Sequence, residues 1–529
     1  MTSDLGPIDR LLERAETLAG AWAARAGRST TIGQERAQLR LFGVSGVDGN
    51  GLPLAGEVVD RYVAGGSGRL AGGIVLPFAV ALLEYDLTPQ ALALEVASGT
   101  IDLGMEAELL HDAGRRAAAE AEASRLAGAA LARIDANRTA RAELLGVLGD
   151  APLPWIGVPL ADPSAEAGRS VVGDLVRRGA DLVRIAVPQG RELAVRLDRA
   201  ATAGSAAAHG HGRAPAAGRS PAEPADLTPS GSQRGIAMLR HAADEAAAER
   251  HRYVRLATVA PGLAAPEQAV VAAFERVDLV GADAVVEIVD GRIDPDRALA
   301  DHSFAHRLYR RAGSQVVIGA GPLVVAPDLT RGVPSSPVTR AGRALALQVL
   351  GVALVRRERL AADQVVAGAL PEWLLNEPDP TQLAIAQAAV RRAVFADHPL
   401  AFAEPAREPG NAATVAAGQW GLAMLAALPF AGRTAFIVRD DQGTGGDPAI
   451  TRGIARVAAD IAASIDPTAV RGPVLDLARG TVDAALQTIE RLGDVGWRAI
   501  LGERPAASER ERIGADAVVE RTESFDPFA

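Results

Sequence analysis

The sequence predicts an α/β protein built on a closed parallel barrel, a (β/α)8 TIM-like fold with helical regions added at both ends. Three observations carry this reading. Short apolar runs alternate with Ala/Arg/Glu-rich segments of helical spacing, which is the pattern of βα crossovers in a parallel sheet. The runs are apolar on both faces, as strands covered by helices must be. Their number reaches eight, which favours a closed barrel over an open sheet. In order, strands are expected at Trp155–Leu160, Asp181–Pro188, Tyr253–Val259, Ala284–Val289, Gln315–Ile318, Gln364–Ala369, Leu400–Ala403 and Ala435–Val438. Helices are expected between them, at Gln233–Arg250, Glu267–Arg276, Asp294–Arg310, Pro337–Arg356, Asp379–Phe395 and Ala412–Ala427.

Residues 1–150 read as a helical accessory region, 151–446 as the barrel, and 447–529 as C-terminal helices with a docked tail. Ile8–Arg25 carries apolar residues at helical spacing and reads as an amphipathic helix. Thr31 and Gln34 resemble a capping box, and Gly43 a helix stop. Further helices are expected at Pro53–Val63, Ala71–Tyr85, Thr88–Gly99 and Glu106–Leu148, with Thr88 capping the third and Pro89 at its first position. The turn Asp48–Gly51 has calcium-loop composition but places Val59 where the bidentate glutamate belongs, so it reads as a turn. Ala203–Ser232 is rich in Gly, Ala, Pro and Ser and reads as a disordered insertion in the barrel. Its His209 and His211 are read as solvated residues. At the far end, Asp447–Leu492 reads as long helices broken near Pro467 and Pro473. Phe525 and Phe528 are expected to tie the tail to the fold.

Composition narrows the function classes. The formal net charge of −10 argues against broad electrostatic binding to nucleic acid, which needs a concentrated basic surface. The absence of cysteine excludes disulfides, thiolate zinc sites, cysteine-ligated iron–sulfur clusters and a cysteine nucleophile. Met1–Arg14 lacks a charged segment followed by an apolar run, and the longest apolar runs are about ten residues, too short to span a bilayer. A soluble, cytoplasmic protein without membrane partners is expected.

No catalytic motif stands out from the residues alone. There is no Gly-x-Ser-x-Gly and no His-Glu-x-x-His, and Gly443–Gly446 lacks the Lys-Ser/Thr of a phosphate loop. His111 sits in a helical segment and reads as a surface residue. In a (β/α)8 barrel chemistry sits where the strands end. The corners at Gln189–Gly190, Pro261–Gly262 and Gly319–Gly321 carry backbone amides suited to cradling a phosphate, or else are simply tight turns. The barrel-mouth candidates for cofactor binding are Gln189, Gly190, Arg191, Gly262 and Glu267. No catalytic residue and no metal ligand is assigned.

One stretch carries a family resemblance. Thr30-Thr31, Arg36-Ala37, Arg40-Leu41, Gly43, Gly46-Val47-Asp48, Leu52-Pro53 and Val58-Val59-Asp60 are similar, in order and spacing, to the start of the α subunit of lysine 5,6-aminomutase. Thr88-Pro89-Gln90, Ser98-Gly99, Ile101-Asp102-Leu103, Tyr253–Leu256, Gly262-Leu263, Pro266-Glu267, Asp301, Phe304 and Pro527-Phe528 extend it over nearly the whole chain. The resemblance implies a barrel that holds pyridoxal phosphate at its mouth. It also implies a separate β subunit that binds adenosylcobalamin and supplies a Schiff-base lysine, and a radical 1,2-shift of the terminal amino group of lysine. The family's phosphate-binding arginine and serines align here with Val187, Glu192 and Pro261, its ring-stacking tyrosine with Val286 and its Asp-Asn pair with Leu323-Val324. A substrate-contacting lysine aligns with Ala401, and Arg184 or Arg191 are the arginines placed to stand in for the missing one. Three readings follow: an active aminomutase α subunit; a barrel that serves as scaffold for a cobalamin-binding partner and has lost the pyridoxal site; and, generically, an unrelated barrel enzyme, since one fold hosts many functions.

Overall fold

The computed structural model describes residues 5–48, 52–160, 165–185, 229–259, 264–289, 293–319, 336–370, 374, 377, 380–403, 411–438, 447–466, 470–497, 518–522 and 525–528. The N-terminal region contains α1 (Ile8–Ala26), β1 (Ser29–Thr31), α2 (Ile32–Leu41), α3 (Leu54–Val63), α4 (Ser67–Gly72), α5 (Val75–Tyr85), α6 (Pro89–Ser98), α7 (Leu103–Glu108) and α8 (Ala113–Leu148). The barrel follows. Its strands are β2 (Trp155–Leu160), β3 (Leu182–Ile185), β4 (Arg255–Val259), β5 (Leu279–Gly281), β6 (Gln315–Ile318), β7 (Val365–Gly368), β8 (Leu400–Ala403) and β9 (Thr434–Val438). They close in sequence order, every neighbouring pair parallel, with β9 returning to β2.

The helices after the strands are α9 (Ala165–Arg177), α10 (Pro229–Arg250), α11 (Ala265–Phe274), α12 (Ala284–Val289), α13 (Pro295–Ala312), α14 (Pro337–Arg357), α15 (Pro380–Val394), α16 (Asn411–Ala431) and α17 (Pro448–Ser464); α18 (Pro473–Val495) and β10 (Val518–Glu520) complete the chain. Local chemistry sets their ends. Asp294 caps α13 through the amides of Asp296 and Arg297, Pro295 opens it, and Gly313 closes it in the left-handed conformation. Thr31 caps α2 through the Gln34 amide, and Thr88 caps α6 with Pro89 behind it.

One expected strand is corrected. Ala284–Val289 is a helix, and the fourth barrel strand is the preceding Leu279–Gly281. Three residues are too few to register as an apolar run. The Asp283 carboxylate accepts from the amides of Val285 and Val286, which turns the following apolar run into a helix. The long buried helix expected over Ala71–Tyr85 is two helices, separated at Gly73, whose φ is +76°. Residues 203–228 of the expected insertion lie outside the described residues, as do His209 and His211.

The accessory helices wrap one side of the barrel: α1 packs on α13, α14 and α18, α2 on α11, and α8 on α13 and α11. This interface is unusually polar. Gln34, Glu35, Arg36, Gln38 and Arg40 of α2 are all buried. Thr31 donates to Asp301 of α13, and the Gln34 side chain reaches the Ala300 carbonyl at 2.7 Å. The tail docks here too. Phe525 packs on Phe42 and Phe528 on Phe304, while β10 pairs antiparallel with β1. Among the described residues one helix, α14, is long and apolar enough to cross a membrane by length and composition alone; 72% of that window is buried, against α18 and α1 among others.

The floor of the barrel is built from charge and ring stacking. The Arg255 guanidinium lies 3.5 Å from the centre of the Trp155 ring and donates to both Asp150 oxygens at 2.6 and 2.8 Å. Asp181, just ahead of β3, accepts from the Ile156 amide at 3.1 Å and from Arg452 at 2.8 Å. Asp278, just ahead of β5, accepts from the Leu256 amide and the Tyr253 hydroxyl, both at 2.8 Å, and from Arg240 at 3.2 Å. All three lie at the N-terminal ends of strands, where a barrel keeps its stabilising contacts.

A candidate active site at the C-terminal mouth

Side chains alternate along each strand, so every second residue faces the barrel axis. The inward set is Leu182, Ala257, Leu279, Val317, Val366, Ala401, Phe436 and Val438, a dry apolar plug above the Trp155 floor. Toward the C-terminal ends the inward positions become small: Gly281 on β5 and Gly368 on β7 share a face with Leu279 and Val366. Arg184 shares its face with Leu182. Among the described strand residues it is the charged side chain directed inward above the floor. A half-buried guanidinium at this level suits an anionic group, a carboxylate or a phosphate.

Around β5, β6 and β7 the rim is tied from outside by buried polar side chains. Asp283, 4% exposed, holds the amides of Val285 and Gly319 at 2.9 and 2.8 Å. The Gln348 amide of α14 donates to the carbonyls of Ile318 and Gly368 at 3.2 and 2.7 Å. Arg391 of α15 donates through Nε to the Gln348 side chain and the Gly368 carbonyl, both at 3.0 Å. Burial pushes the Asp283 carboxyl up to about 6, against the pull of its three amide donors. Burial likewise brings the Arg391 guanidinium down to about 10.

Of the sequence-derived candidates, Gln189, Gly190, Arg191 and Gly262 lie outside the described residues. Glu267 is described, in the first turn of α11 and fully buried. It faces the accessory helix α2: burial raises its pKa, and the guanidinium groups of Arg36 and Arg40 oppose that rise. Its position is an interface between the accessory region and the barrel. Sequence reasoning missed Asp283, Gln348 and Arg391. The signal for Asp283 was present, as an acidic residue heading an apolar run.

The family model described as the D-lysine 5,6-aminomutase TIM-barrel domain of the alpha subunit matches residues 3–208 and 228–414. This chain belongs to that family. The lysine 5,6-aminomutase alpha subunit of Fusobacterium nucleatum subsp. nucleatum is 26% identical over 405 residues, spanning 76% of this chain and 71% of that protein. That of Acetoanaerobium sticklandii is 26% identical over 319 residues, spanning 60% of this chain and 56% of that protein. The family is one of aminomutases, a class of isomerases, and its name designates an alpha subunit and so implies a partner chain.

Membership of the aminomutase family makes pyridoxal phosphate the group to test against these side chains. Two positions singled out by the resemblance are described, and neither fits. Val286, in the place of a ring-stacking tyrosine, is half-buried in α12 and gives its amide to Asp283. Ala401, in the place of a substrate-contacting lysine, is fully buried in the apolar plug. Val187, Glu192, Pro261, Leu323 and Val324 lie outside the described residues. At the described positions the mouth offers an inward arginine but neither the aromatic platform nor the lysine.

Proposed function

We propose that this chain is the α subunit of a lysine 5,6-aminomutase, working in the cytoplasm with a cobalamin-binding β subunit on lysine or a similar small amino acid. The observation that carries the reading is the family match across both the accessory region and the barrel. The radical chemistry of such an enzyme belongs to its cofactors, adenosylcobalamin from the partner and pyridoxal phosphate at the barrel mouth. The barrel's part is to bind, orient and exclude water. The stacked Trp155–Arg255 floor and the plug above it close the N-terminal end, so substrate and partner approach from the C-terminal end. Arg184 is the described residue suited to hold an anionic end of what binds there.

A second reading is favoured by Val286 and Ala401: a barrel that retains its partner while its pyridoxal contacts are lost. Co-expression with a cobalamin-binding β subunit of this family separates the two. Co-elution together with the visible absorbance of bound pyridoxal phosphate supports the first reading. Co-elution without that absorbance supports the second, and failure to associate with any such partner contradicts both.

A further inference from the structure

We propose that Asp283 is a positioning residue of the barrel mouth: its carboxylate clamps the first turn of α12 to Gly319, the residue that follows β6. It thereby fixes the neighbouring ends of β5 and β6 at the ligand-binding face. One oxygen accepts from the amides of Val285 and Val286 at 2.9 and 3.3 Å, the other from the Gly319 amide at 2.8 Å. The clamp therefore crosses from one strand end to the next, rather than serving only as a helix cap. Gly319 is held from its other side as well. Its φ is +84°, and a Cβ placed there would lie 2.6 Å from the Gln348 amide nitrogen, so backbone and amide sit in close register.

The surroundings make this clamp responsive to protons. Among the described residues, the elements packed around Asp283 bring it no counter-ion. From α13 comes His306, whose Nε2 lies 3.0 Å from the Ala282 carbonyl oxygen and whose pKa burial lowers to about 4, leaving a neutral ring. From α14 come Gly351, where a Cβ would sit 3.2 Å from an Asp283 oxygen, and neutral Gln348; from β6 comes Ile318. No charged side chain contributes to the Asp283 shift, which burial dominates and amide donors oppose. Because the amides favour the ionised form, the protonated form favours fewer of them. A proton on the oxygen facing Gly319 sets one donor against another, and the link between β5 and β6 is the bond lost.

Amide exchange on the full chain tests this without reference to activity. After correction for the intrinsic pH dependence of exchange, protection of the Gly319 amide should fall as pH drops from 8 toward about 6, where the clamped carboxyl takes its proton, and level off below it. Amides at the barrel floor, such as Leu256, should show no matching change. Protection at Gly319 that stays flat between pH 5 and pH 8 would overturn the proposal. In Asp283→Asn, Gly319 protection should be low at every pH, and undiminished protection would also overturn it. Should that variant not fold, the wild-type series decides alone. A kinetic arm rests on the aminomutase reading. In the assembled enzyme Asp283→Asn should raise KM for lysine about tenfold while leaving kcat within about twofold, and an unchanged KM counts against the clamp. Absence of turnover in wild type at any pH would count against the aminomutase reading and leave the exchange result standing.

Discussion

The two ends of the barrel use the same device in different electrostatic settings. Asp181, Asp278 and Asp283 each lie beside a strand, and each accepts an amide from a neighbouring strand or its end: Ile156, Leu256 and Gly319 respectively. At the floor the charge is compensated. Asp278 has Arg141 at 2.9 Å and Arg240 at 3.2 Å, and Asp181 has Arg452 at 2.8 Å. At the mouth, among the described residues, Asp283 has amide donors and no ionic partner, and burial raises its pKa to about 6. The difference teaches that one end is built to hold and the other to respond. Cross-strand bonds to a paired carboxylate are fixed features of the fold. The same bonds to an unpaired one depend on whether that carboxylate carries its proton.

The sharpest way to break this comparison is Asp278→Asn. It leaves Arg141 buried without the countercharge at 2.9 Å and Arg240 with Asp244 alone, and uncompensated buried charge costs about 3–5 kcal/mol. A urea midpoint shifted by less than the equivalent of about 1 kcal/mol would show that the floor is not held this way. Next comes the pH dependence of Asp283→Asn. A carboxyl whose folded pKa is raised contributes most to stability while protonated, and that contribution falls as pH rises from the unfolded value of 3.8 through about 6. The stability of wild type relative to the variant should therefore fall by about 2 kcal/mol between pH 4 and pH 7. Denaturant titrations of both proteins across that window check it, and a constant difference would contradict it.

Gly351→Ala presses on the mouth from outside without touching charge. Its Cβ would lie 2.7 Å from the Ile318 side chain and 3.2 Å from the Asp283 carboxylate, an overpacking cost of about 1–3 kcal/mol, read as a lowered Tm. The smallest effect is expected back at the floor. Asp150 is 49% exposed, so Asp150→Ala should cost about 1 kcal/mol or less, with Arg255 still stacked on Trp155. A larger loss would mean that the half-exposed pair carries weight assigned here to the buried ones.

The barrel was legible because its strands are apolar on both faces and its helices carry clear signals, as at Asp294. The fourth strand was hidden because Leu279–Gly281 is too short to read as a run. The helix after it, buried through Ala284, Val285, Ile288 and Val289, presents a longer apolar run. That misreading also concealed Asp283, since a cap has meaning only when the helix is recognised. Gln348 and Arg391 were illegible for another reason. Each is one of several polar residues on its helix, with nothing in the sequence to single it out, and only the closed barrel places both against the Gly368 carbonyl. The family resemblance reached the accessory region and the tail, where Phe304 and Phe528 do meet. It had no purchase on how the rim is braced.

The most direct test of the functional account is to incubate the chain with its cobalamin-binding partner, adenosylcobalamin, pyridoxal phosphate and lysine. NMR would then follow formation of the isomer in which the terminal amino group has moved by one carbon. The account predicts that isomer only when both chains and both cofactors are present. A stable assembly that leaves lysine unchanged would contradict it and identify the barrel as a scaffold that has kept its partner and lost its chemistry.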